Sequence, residues 1–93
     1  MPRSPVPQEV SQELQRVVRR WQQLPLDHAL ACVPTVRVLL DDLAGSAGPV
    51  PDLGPAVLMD QLTVLVHDAC ADGSAPSDDL AARLTAIRRQ LAG

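Results

Sequence analysis

The sequence predicts a small all-α protein, an up-and-down four-helix bundle whose second helix is kinked by a proline. Three observations carry that prediction. Aliphatic residues recur at steps of three and four in four separate stretches, which is the spacing of one helix face. Pro25 and two segments rich in Gly, Pro, Ser and Ala separate those stretches. No alternating apolar–polar pattern lasts long enough to need a sheet. Short connections imply antiparallel neighbours, and so an up-and-down order.

Residues 1–6 hold two of the nine prolines and read as a flexible arm, with residues 7–93 as one bundle domain. Helix one is expected from about Pro7 to Gln23. Its apolar face is Val10, Leu14, Val17, Val18, Trp21 and Leu24. Glu9 and Glu13 near its start and Arg16, Arg19 and Arg20 near its end complement the helix dipole. Glu13 and Arg16 are spaced to pair. Pro25 pushes Leu24 out of the α region and turns the chain.

Helix two is expected from about Leu26 to Leu43, with a face of Leu26, Ala29, Val33, Val36, Leu40 and Leu43. Cys32 and Leu39 lie on one flank. Pro34 falls inside it and removes a backbone donor, so the helix should bend there. A bend is favoured over a split because the apolar face keeps its phase across Pro34. The segment 44–51 is a loop, with Gly45 placed to end helix two. Helix three is expected from about Leu53 to Ala71, capped by Asp52 or Gly54, with Leu58, Leu62, Leu65, Val66 and Ala69 as its face. After a second loop over 72–76, Ser77 is expected to cap helix four. Its stripe is Leu80, Leu84, Ile87 and Leu91.

Composition narrows the function. At 93 residues the chain makes one domain with a modest core. Hydrophobic residues make up 46%, enough for a globular interior. Trp21 is the only aromatic residue, so there is no set of flat rings on which nucleic-acid bases would stack. All eight basic residues are Arg, and the net charge is −3, which disfavours non-specific nucleic-acid binding. No stretch approaches the ~20 apolar residues of a membrane span. The start of the chain has no apolar signal region. The reading is therefore cytoplasmic, with Cys32 and Cys70 as free thiols.

One constellation has metal-ligand chemistry: His28 and Cys32 on helix two, His67 and Cys70 on helix three. Spacings of four and three place each pair on neighbouring turns. Counting outward from the loop that joins these helices puts all four at one level. Two His and two Cys suit tetrahedral Zn²⁺. Helical phase opposes this, because His67 points about 140° away from the centre of its helix's apolar face at 100° per residue. The simpler reading makes Cys32 and Cys70 small core or boundary residues and His67 a solvated histidine. No cofactor is expected. The same four residues supply no oxyanion hole or cleft, so no enzymatic activity is expected either. Arg16, Arg19 and Arg20, with Arg83, Arg88 and Arg89 on helix four, would make a basic patch able to bind nucleic acid or an acidic partner if the two helices lie side by side, the alternative reading being a nucleic-acid-associated regulator. Pairing with carboxylates and the helix dipole explains them as well.

The stronger clue is surplus apolar surface. Leu30 and Val38 lie off the main face of helix two, and Val57 and Val64 lie off that of helix three. A helix in a monomeric bundle normally has one apolar stripe and one polar side. These four residues are the expected partner surface. The sequence thus reads as a helical protein–protein interaction module, expected to form a homodimer.

Overall fold

A computed structural model describes residues 6–45, 48 and 50–92 of the chain. They form α1 (Gln8–Gln23), α2 (Leu26–Ala44), a single 3-10 turn (Pro55–Val57), α3 (Leu58–Asp72) and α4 (Ser77–Ala92). No strand occurs among the described residues, and the protein is a small all-α bundle. Also among the described residues, no helix is long and apolar enough to cross a membrane.

Prolines, rather than capping side chains, start three of the four helices. Pro7 and Pro25 occupy the N-cap positions of α1 and α2 with φ near −58° and ψ near 150°. Their carbonyls accept the first helical hydrogen bonds, from Ser11 N–H and Ala29 N–H, both at 2.9 Å. The carbonyl of Pro76 accepts from Leu80 N–H at 3.0 Å and so opens α4 one residue before the expected cap, Ser77. Proline fits because its ring fixes φ, and the donor it lacks has no helical partner at that position. No side chain caps α1, α2 or α3.

The expected start of the third helix needs correction. Leu53 lies outside any helix and is exposed, and Gly54 has φ of 92°, a conformation that an L side chain rarely adopts. Asp52 accepts a hydrogen bond from Gly54 N–H in a local turn instead of capping a helix. The chain then makes one 3-10 turn from Pro55 before α3 proper begins at Leu58. At its far end α3 stops at Gly73 (φ 70°), whose N–H and that of Ser74 both reach the Ala69 carbonyl.

Pro34 does not split the second helix, since α2 is helical from residue 26 to 44. The side chain lies on the exposed side. Without its N–H, the Leu30 carbonyl has no helical donor four residues on.

α1 and α4 form the most closely packed pair; α2 and α3 form a second, looser one, with α2 meeting α4 almost as much and α1 touching α3. Val10, Leu14, Val17 and Trp21 from α1 meet Leu80, Leu84, Ile87 and Leu91 from α4 in one core. From the other pair come Ala29, Val36, Leu39 and Leu40, then Leu58, Met59, Leu62 and Val66. Leu39, expected on a flank, is fully buried, whereas Leu26, expected on the core face, is 67% exposed. Residues 1–5 of the expected arm lie outside the described residues. Val6, expected to belong to that arm, is buried in the core.

Glu13 ties the first pair together at its edge. It accepts from Arg88 Nε of α4 at 3.0 Å and, as its spacing predicts, from Arg16 Nη1 at 2.9 Å. Partial burial alone would raise its pKa. The hydrogen bond and charge of Arg88, followed by those of Arg16, outweigh that effect and hold the carboxyl below its ordinary 4.5. A carboxylate with a depressed pKa stabilises the fold above its unfolded-state pKa and loses that contribution as pH falls through the folded value. Glu13→Gln should therefore cost about 1 kcal/mol or less in urea unfolding at neutral pH. The difference from the parent should shrink as pH drops below 4.5. The exposed Pro34 offers a second test. Pro34→Ala restores a helical hydrogen bond and should stabilise the protein by about 1–3 kcal/mol, visible as a higher Tm.

Candidate functional site

Helical phase sorts the surface of the second pair. On α2 the buried residues Ala29, Val36, Leu39 and Leu40 cluster on one side. Leu26, Leu30, Pro34 and Val38 follow one another at steps of four, so they form a continuous ridge. The ridge centres about 140° from the buried face, at 100° per residue. All four ridge residues are exposed, Leu30 at 49% and Val38 at 57%.

On α3 the core face is Leu58, Met59, Leu62, Val66 and Ala69. Val64 lies nearly opposite and is 58% exposed. Val57, seven residues earlier, shares its azimuth but is only half-buried, so it is less available than the sequence predicts. Exposed Leu53 joins them, and these three residues line an apolar groove of ≈ 540 Å³ between α3 and the segment that follows α2. Every exposed large aliphatic side chain among the described residues thus lies on α2 or on the segment and helix that follow it; α1 and α4 carry none.

The groove wall is held by polar contacts that sequence reasoning missed. Arg37 Nη2 donates to the Val50 carbonyl at 2.7 Å, and Val50 N–H donates to Asp41 Oδ1 at 3.3 Å. Gln61 Nε2 donates to the Pro51 carbonyl at 3.0 Å. Arg37 and Asp41 are four apart on α2 and so grip both polar groups of one peptide residue. This anchors the buried Val50 and sets Pro51 and Leu53 over α3. The i, i+4 spacing of Arg37 and Asp41 was visible in the sequence, but their partner was a backbone in a loop and left no mark there.

The other candidate residues fall elsewhere. Cys32 and Cys70 are free thiols packed at the edge of the core, and desolvation raises the pKa of Cys70. His28 is half-buried and His67 exposed. Among the described residues, no three His, Cys, Asp or Glu side chains converge as a metal-holding group, so His28, Cys32, His67 and Cys70 are not assembled into one. Phase explains this, since His67 and Cys70 leave α3 in different directions.

The helices bearing the two Arg clusters do lie together. Arg16 and Arg88 share Glu13, and Arg83 pairs with Asp42 at 2.8 Å. These carboxylates neutralise part of the expected basic ridge. Arg19 stays exposed, and Arg20 is half-buried with Nε enclosed. No protein-family model, curated protein or solved structure matches the chain.

Replacing Arg37 by Met should leave helix content unchanged by circular dichroism. Hydrogen exchange at Val50 should accelerate about fivefold, as expected for loss of roughly 1 kcal/mol of local restraint. Unchanged exchange would mean that Arg37 does not hold the segment.

Proposed function

We propose that the chain is a protein–protein association module whose partner is a second copy of itself, working by binding and not by catalysis. The observation that carries this reading is the confinement of exposed large aliphatic side chains, among the described residues, to α2, α3 and the segment between them. Scattered exposed leucines and valines are ordinary on a monomer. Here they form a ridge on α2 and a groove beside α3, while the outward faces of α1 and α4 are polar. Covering such a surface with an identical one removes both from water, and two-fold pairing is the commonest way for identical chains to do so. Leu30, Val38 and Val64 are the principal contact residues of this reading, with Val57 at the groove floor. It places the chain in a reducing compartment such as the cytoplasm, where Cys32 and Cys70 remain thiols.

Light scattering of the purified chain is expected to give twice the 9.9 kDa chain mass. Leu30→Asp with Val64→Asp should return the single-chain mass without loss of helix, because both side chains are exposed. Val38→Asp gives an independent variant on the α2 ridge. A parent chain that stays at 9.9 kDa in concentrated solution sinks the reading.

A further inference from the structure

A second groove, separate from the apolar face, lies where α1 passes α3. Its volume is ≈ 460 Å³, within the range of small-molecule sites. Leu14 and Val18 of α1 supply aliphatic floor; Gln15, Gln22 and Arg19 of α1 and His67 of α3 supply polar wall. The α1 residues span positions 11 to 22, about 16 Å at 1.5 Å per residue, long enough for an extended alkyl chain.

The charge of this groove is one-sided. None of its lining residues is acidic, although the whole chain carries a net charge of −3. Glu13, the nearest carboxylate along α1, is engaged by Arg16 and Arg88. The Arg19 side chain has no ion pair or hydrogen bond among the described residues, and neither has that of His67. Unpaired donors beside an aliphatic floor match a ligand with an anionic head and an apolar body. A planar guanidinium also fits a carboxylate with two parallel hydrogen bonds.

We propose that the α1–α3 groove binds a free medium-chain aliphatic carboxylate, its head on Arg19 and its chain along Leu14 and Val18. His67, Gln15 and Gln22 stand within the same walls as further donors to the head. The site does not depend on the proposed dimer, whose contact residues lie on other helix faces.

The probe is octanoate, titrated into the whole chain and followed by proton–nitrogen NMR, with octanol and acetate as controls. Octanoate is expected to shift the amides of Val18, Arg19, Thr63 and His67 saturably, with half-saturation near 1 mM. Acetate lacks the chain and octanol the charge, so both should bind at least about fivefold more weakly. The exposed Arg19→Gln variant should weaken octanoate about fivefold and leave octanol unchanged. Octanol binding as tightly as octanoate would overturn the proposal. So would octanoate shifts confined to Leu30 and Val64, or no saturable shift at all.

Discussion

The bundle depends on how completely α1 and α4 satisfy each other. Val10 and Val17 have no exposed surface, and Leu80, Leu84 and Leu91 have almost none. Their stripes repeat at three and four residues without interruption, and Glu13 clamps the edge of the seam to Arg88. A chain of this size has only a modest core to share. Once α1 and α4 have closed on each other, α2 and α3 need contribute only one face apiece to finish it. Both helices are more apolar than that task requires, and the excess is left on the outside.

Proline organises the chain around that seam. Pro7, Pro25 and Pro76 each stand at the threshold of a helix and offer a carbonyl to its first turn. Pro55 opens the 3-10 turn that leads into α3. The arrangement sets sharp starting points in a sequence with few strong capping side chains. Pro34 is the exception, tolerated because it lies on the exposed side of α2, where water can reach the carbonyl left without a donor.

Much of this was legible from spacing alone. The stripe Leu80, Leu84, Ile87 and Leu91 and the α1 set Val10, Leu14, Val17 and Trp21 are buried as their periodicity requires. Errors came where periodicity is silent about context. Leu26 was expected on the core face, but it opens the ridge that continues through Leu30, Pro34 and Val38 and is exposed. Met59 is buried although it lies beside the stripe. Leu53 has the composition of a helix start, yet the positive φ of Gly54 ends any helix there. Leu30, Val38 and Val64 were identifiable as surplus because each lies opposite its own helix's core stripe. The α1–α3 groove was not, since residues far apart in sequence line it.

Trp21 carries a practical consequence of the unusual aliphatic core. It is the sole aromatic side chain and is 8% exposed, near the C-terminal end of α1. Its emission spectrum is therefore a single-site optical gauge, free of tyrosine transfer. It reports whether the α1–α4 seam is closed and stays largely indifferent to events on the outward side of α2 and α3. Unfolding of the seam and separation of copies can then be told apart in one cuvette, without any added label.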